Sequence, residues 1–154
     1  MSTDNIVYFL NGPNANLYGH TAQNVYGSET FEQLGERCRR AGTELGFTVE
    51  FRQSNHEGVL IDWIQEAMRQ GVGLVINGAG LTYTSIALLD GLLAFGQTGK
   101  PIVEVHMSNI YRREPFRHHS YISKAADGIV AGLGADGYEL ALVALKRLLD
   151  RPKV

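Results

Sequence analysis

The chain is predicted to fold as an α/β domain, a parallel five-stranded sheet covered by helices on both faces. Three observations predict this. Continuous apolar runs of strand length recur along the chain, among them Ile6-Val7-Tyr8-Phe9-Leu10 and Leu74-Val75-Ile76. A strand buried on both faces reads this way because neither side needs polar residues. The runs alternate with segments whose apolar residues recur at helical spacing between capping signals. No linker, repeat or low-complexity tract interrupts the alternation, and 154 residues suit one domain over 1–154, since two would each struggle to bury a core.

The first strand, 6–10, is stopped by Asn11-Gly12-Pro13-Asn14. From Asn11 to Ser28 no period is sustained, and Gly12, Pro13, Gly19 and Gly27 punctuate a loop long enough to suggest function. Thr30 and Gln33 have capping-box spacing, and Phe31, Leu34, Cys38, Ala41 and Leu45 mark a helix closed by Gly46. Phe47-Thr48-Val49-Glu50-Phe51 is the second strand. Ser54 with Glu57 predicts another capping box, opening a helix through Leu60, Ile61, Ile64, Ala67 and Met68 to Gly71. Leu74-Val75-Ile76 is the third strand and runs into Asn77-Gly78-Ala79-Gly80, before a helix from about Thr84 to Phe95. Pro101-Ile102-Val103-Glu104-Val105 is the fourth strand; Ile129-Val130 and an amphipathic helix from Tyr138 to Leu149 complete five units.

Right-handed crossovers make such a sheet parallel, with helices on both sides. In the doubly wound, flavodoxin-like order, ligands bind beyond the carboxyl ends of the strands where the winding reverses, between strands one and three. Strand one runs there into Asn11 and Asn14, strand three into Asn77, and strand four into His106, Ser108 and Asn109. Polar groups distant in sequence therefore converge on one edge.

A net charge of −2 with 19% charged residues gives neither the basic field that nucleic acid needs nor the acidic excess of a disordered tail. A small-molecule partner is expected, and no nucleic acid. Cys38 is the only cysteine, which excludes intrachain disulfides and cysteine-rich metal sites and fits a reducing cytoplasm. The opening apolar run is too short for a signal peptide and follows no basic residue, and no segment is expected to span a membrane.

Gly78-Ala79-Gly80, entering a helix, suits either an anion at backbone N–H groups or a plain tight turn, and glycines alone favour the turn. No dinucleotide fingerprint or phosphate-loop motif follows. His106 with Glu104 two residues earlier, on the same strand face, has the makings of a general acid held by a carboxylate. His118-His119 is read as structural rather than metal-binding, because adjacent strand side chains face apart. His20 and His56 are read as surface or capping residues. Arg112, Arg113 and Arg117 cluster after strand four, where guanidinium groups suit oxygen-rich anions. Tyr26 ends the long loop. To act as a base it must ionise, and from a pKa near 10 only about one molecule in a thousand is tyrosinate at pH 7. Lowering that value by about two units takes roughly 2.7 kcal/mol, within reach of a nearby guanidinium, so a tyrosine base predicts an arginine partner.

Taken together, Asn11-Gly12-Pro13-Asn14, Tyr26-Gly27-Ser28, Phe51-Arg52-Gln53-Ser54-Asn55-His56-Glu57-Gly58, Glu104-Val105-His106-Met107-Ser108-Asn109 and Arg113-Glu114-Pro115-Phe116-Arg117-His118-His119-Ser120-Tyr121 closely resemble the type II 3-dehydroquinate dehydratases, over nearly the whole chain and in order. The resemblance implies a flavodoxin-like fold, a homododecamer built of trimers, and a lyase reaction with no cofactor and no metal. In that reaction water leaves 3-dehydroquinate by anti elimination through an enolate, giving 3-dehydroshikimate. By position, Tyr26 matches the base, His106 the acid that protonates the departing hydroxyl, and Glu104 the carboxylate that orients it. Asn14 matches the asparagine that holds a water against the enolate, where a fixed dipole lowers the barrier. Asn77, the backbone at Met107 and Ser108, Arg113 and Arg117 match groups that grip the substrate, and Asp90 matches an acidic residue reaching toward a neighbouring subunit's site.

Three positions depart from the family pattern. Thr21 stands where the loop's catalytic arginine is expected, Tyr83 where a substrate-binding histidine is usual, and Leu89 where an arginine is common. One reading is a working dehydratase in which another cation, with Arg112 as a candidate, replaces the arginine. The other is a non-catalytic paralogue or an enzyme for a related cyclic polyol acid. A phosphate-cradling binding module is a third and weaker reading.

Overall fold

Residues 5–20 and 28–153 are described by the structure, a computed structural model. Five strands, β1 (Ile6–Asn11), β2 (Thr48–Gln53), β3 (Gly73–Asn77), β4 (Ile102–His106) and β5 (Gly128–Ala131), form one sheet in the order β2-β1-β3-β4-β5. All of its pairings are parallel. The helices are α1 (Phe31–Glu44), α2 (Glu57–Gln70), α3 (Ile86–Gly96) and α4 (Asp136–Asp150). The expected α/β, doubly wound flavodoxin-like architecture is therefore present, with the winding reversing between β1 and β3.

Alternation along the strands sorts the core into two layers. Val7, Phe9, Val75, Val103 and Val105 point to the face covered by Leu34 and Cys38 of α1 and by Tyr138, Ala141, Leu142 and Leu145 of α4. Tyr8, Leu10, Leu74 and Ile76 point the other way, onto Leu60, Ile64 and Ala67 of α2 and Leu88, Leu92 and Phe95 of α3. None of the helices among the described residues is long and apolar enough to cross a membrane.

The strands run further toward their carboxyl ends than their apolar runs suggest. Asn11, Gln53, Asn77 and His106 still pair in register or close a strand, because backbone pairing with a parallel neighbour is indifferent to side-chain polarity. Asn11↔Asn77 is the last pair across the switch point. Beyond it, the Gly12 N–H donates to the Asn77 carbonyl at 2.8 Å. A Cβ on Gly12 would stand 2.5 Å from the Gly78 oxygen, so the two turns touch backbone to backbone.

The capping box at α1 is formed: the Gln33 N–H donates to Thr30 Oγ1 at 3.2 Å, and the Thr30 N–H to Gln33 Oε1 at 2.9 Å. The one expected at Ser54 and Glu57 is not. His56 is the N-cap of α2 and caps with no side-chain hydrogen bond. A box needs its hydroxyl on the N-cap residue itself, and Ser54 lies two residues too early; its Oγ instead accepts from the His56 N–H at 3.0 Å. Glu57 accepts a hydrogen bond from the Ser85 hydroxyl, joining the starts of α2 and α3. The helix expected from about Thr84 is preceded by a 3₁₀ turn, Ala79–Tyr83, and begins at Ile86 with Ser85 as its cap, accepting from the Leu88 N–H at 2.9 Å.

Candidate active site

The carboxyl ends of β1, β3 and β4 open into a cavity of about 480 Å³. Asn14 reaches it from the turn after β1, Asn77 from the end of β3, and Tyr83 from the 3₁₀ turn that follows. His106, Met107 and Ser108 come from the end of β4, and Arg113 and Arg117 from the loop beyond. Edge and winding thus assemble groups as far apart in sequence as Asn14 and Arg117, as ligand sites in open α/β sheets do.

His106 and Glu104 alternate to the same face of β4. His106 Nε2 lies 2.5 Å from Glu104 Oε2, with Glu104 fully buried and His106 4% exposed. Burial opposes ionisation of Glu104. The contact with His106 and hydrogen bonds from the Ser123 and Ser120 hydroxyls more than offset that, holding the carboxyl below its ordinary range. Ser123 lies in a short 3₁₀ segment, Ile122–Lys124, anchored by the buried Ile122 and entered where the Tyr121 N–H donates to the Thr82 carbonyl. A buried carboxylate so fully satisfied fixes the imidazole plane and tautomer. The other nitrogen, Nδ1, has no protein partner among the described residues, leaving it for a ligand of the cavity that His106 lines.

Asn14 adopts φ 69°, a left-handed conformation that asparagine tolerates better than most residues. Its N–H donates to Asn55 Oδ1 at 2.9 Å, and Gln53 Nε2 donates to the same oxygen at 3.0 Å, so the turn is pinned from β2 while the Asn14 carboxamide makes no protein hydrogen bond among the described residues. Across the cavity, the Arg117 guanidinium lies over the Tyr83 ring at 5.4 Å while its Nε donates to Glu114 Oε1 at 3.1 Å. The Tyr83 ring in turn stacks on His106, with centroids 6.4 Å apart and planes 21° from parallel. Burial raises the Tyr83 phenol above its usual pKa despite the opposing effect of Arg117. It is therefore a neutral hydroxyl at physiological pH, a hydrogen-bonding group and not a base. Arg113 Nη1 makes a long, 3.5 Å contact to Ser108 Oγ.

The candidate residues Asn14, Asn77, Tyr83, His106, Met107, Ser108, Arg113 and Arg117 are all brought to one cavity, with Glu104 directly behind His106. Tyr26 and Thr21 lie outside the described residues. Asp90 is exposed on α3 and does not line the cavity of its own chain. Arg112, the candidate for the replacement cation, is also exposed and outside the lining, whereas its neighbour Arg113 lines the cavity. Gly78-Ala79-Gly80 opens a 3₁₀ turn and not an α-helix; Ala79 has φ 50° and its N–H is taken by Asn77 Oδ1 at 3.0 Å, so the turn reading holds. His118 and His119 pack against Tyr111 and Tyr121.

Sequence reasoning missed Ser120, Ser123 and Tyr138. The serines carry no periodic signal in a loop. Tyr138 fell on the apolar stripe of the last helix, and the only hint was a hydroxyl where an aliphatic side chain would have filled the core.

A family model described as dehydroquinase class II matches residues 5–146. The chain is 49% identical over 144 residues to 3-dehydroquinate dehydratase 1 of Agrobacterium fabrum, covering 94% of this chain and 97% of that protein. It is 53% identical over 132 residues to the 3-dehydroquinate dehydratase of Streptomyces coelicolor, covering 86% and 83%. Among solved structures, the type II dehydroquinase from Propionibacterium acnes superposes with a TM-score of 0.85 at 41% identity, over 96% of this chain and 98% of that one.

Proposed function

We propose that this chain, which belongs to the class II dehydroquinase family, is a hydro-lyase that removes water from 3-dehydroquinate to give 3-dehydroshikimate without a cofactor. The observation that carries the reading is the buried Glu104–His106 pair, presented to a cavity that also holds Asn14, Asn77 and two guanidinium groups. In this reading Tyr26 takes the proton beside the ketone, and the C–H electrons pass into an enolate. His106, oriented by Glu104, then protonates the departing hydroxyl as the C–O bond breaks and the carbonyl re-forms. Asn14 holds a water against the enolate oxygen, where a prepositioned dipole costs no reorganisation. Asn77, Tyr83, the backbone at Met107 and Ser108, Arg113 and Arg117 hold the carboxylate and hydroxyls. A bidentate arginine suits a carboxylate, and two cations in one cavity favour an anionic substrate over a neutral one.

The departure at Thr21 bears on the base, since threonine supplies no charge to a tyrosinate. Arg113 lines the cavity and is the motivated substitute. The same reading expects a cytoplasmic homododecamer of trimers, in which Asp90 serves a neighbouring subunit's site.

Formation of the conjugated enone from 3-dehydroquinate, followed by absorbance, tests the activity. Turnover in the unmodified chain that falls at least about a hundredfold in His106→Ala and Tyr26→Phe is expected, the scale of lost acid–base catalysis. No turnover in the unmodified chain, with activity appearing in Thr21→Arg, would instead identify a non-catalytic paralogue that has lost its loop charge.

A further inference from the structure

Tyr138 is fully buried in the first turn of α4, yet its hydroxyl reaches the floor of the cavity. It donates to Asn11 Oδ1 at 2.7 Å and accepts from Asn77 Nδ2 at 2.8 Å. The chain of bonds continues at both ends: Asn11 Nδ2 donates to the Arg52 carbonyl at 3.1 Å, and Asn77 Oδ1 accepts from the Ala79 N–H at 3.0 Å. Those outer partners are backbone groups with a single polarity, since a carbonyl only accepts and an N–H only donates. Their fixed sense propagates inward. Both carboxamides have one possible orientation, and the phenol proton has one place to go.

We infer that Tyr138 is a positioning residue that sets which atoms Asn77 offers to the substrate; the inference rests on the dehydratase reading above. With one Nδ2 hydrogen held by Tyr138 and Oδ1 held by Ala79, Asn77 presents its second Nδ2–H as a donor of fixed direction at the end of β3. Such a donor suits a carboxylate or hydroxyl oxygen. Without the phenol, the carboxamide keeps only the Ala79 contact and rotates about its last torsion. The ring itself is held independently, against Phe9 at 4.8 Å and Phe51 at 6.3 Å, so deleting the oxygen alone leaves the packing.

The test is Tyr138→Phe in a double-mutant cycle with Asn77→Ala, reading KM and kcat for 3-dehydroquinate. A preorganised ground-state contact predicts a KM raised about tenfold with kcat changed by less than about threefold, on the scale of one hydrogen bond. In the Asn77→Ala background the same substitution should change KM by less than about twofold. An unchanged KM in the single variant, or an equal rise with and without Asn77, overturns the inference, because packing and not Asn77 would then carry the effect. Solvent exchange of the Asn77 side-chain amide protons, followed by NMR, supplies a readout independent of turnover. Slow exchange that becomes fast in Tyr138→Phe supports the role, and equal rates in the two proteins refute it. If the unmodified chain does not turn over 3-dehydroquinate, the dehydratase reading fails while the exchange measurement still decides the role of Tyr138.

Discussion

At the scale of single residues, the most consequential group is Glu104, a carboxylate with no solvent exposure that remains ionised because hydroxyls and an imidazole surround it. Its native pKa lies below the unfolded value near 4.3. The stabilisation is therefore complete above that value and is lost as pH falls through the native one. Ser123→Ala removes a hydrogen bond to a charged acceptor and should cost about 1.5–3 kcal/mol at neutral pH. Because it also brings the native pKa back up, the gap to the unmodified protein should shrink as pH falls. Urea unfolding from about pH 7 to about pH 3 checks this, and a gap constant with pH would mean that Ser123 acts by packing alone. A second prediction concerns the cation. If Arg113 sustains the Tyr26 anion, Arg113→Ala should lower kcat and move the acidic limb of the pH profile, where the base must lose its proton, to higher pH, whereas Arg112→Ala should do neither. Glu104 and His106 were legible in sequence because a strand places i and i+2 on one face. Ser120, Ser123 and Tyr138 were not, since loop hydroxyls and one tyrosine on an apolar stripe declare no partner.

Secondary-structure elements were readable wherever a period of two or of helical spacing runs unbroken, which is why the five strands and the four α-helices overlap the apolar residues that predict them, while the short 3₁₀ turns between them carried no such period. Their ends were less so. Ser54 and Glu57 have the spacing of a capping box, but the residue that begins α2 is fixed by where β2 ends and the chain turns, a tertiary fact. The contrast is measurable. Thr30→Ala removes a formed cap and should destabilise by about 1 kcal/mol, while the loss at Ser54 reflects only its single bond to the His56 N–H. The contact between the turns after β1 and β3 was likewise invisible, since nothing local says that Gly12 meets Gly78. Gly12→Ala places a methyl group 2.5 Å from a carbonyl oxygen, with backbone on both sides and no flexible side chain to yield. The turns must separate, at a cost of about 1–3 kcal/mol, and Asn14 and Asn77 separate with them. Activity should consequently fall more than stability. A variant as active as the unmodified chain would show that the switch point tolerates looser spacing.

At the scale of the whole molecule, the proposed assembly gives a part to a residue that one chain's cavity does not use. Asp90 does not face its own cavity, and on α3 it stands between Ile86 and Leu93, which are 58% and 45% exposed. Positions 86, 90 and 93 share one helical face by their spacing of four and three residues. A helix whose inner face already packs on α2 and the sheet has no internal use for apolar residues on its outer one, and an acid among them gains most if it meets polar groups of another copy. This is the physical case for the assembly proposed above, in which α3 of one subunit closes the site of the next. Leu93→Glu places a charge in that contact and should reduce the mass measured by analytical ultracentrifugation. If Asp90 works across the interface, activity should fall in step with mass, and dilution of the unmodified protein should lower specific activity once assemblies dissociate. Asp90→Ala separates contact from chemistry: mass should be retained while KM rises. Loss of activity without any change in mass in Leu93→Glu, or full activity in dissociated chains, would place the complete site within one subunit and leave the exposed face of α3 without a part in the reaction.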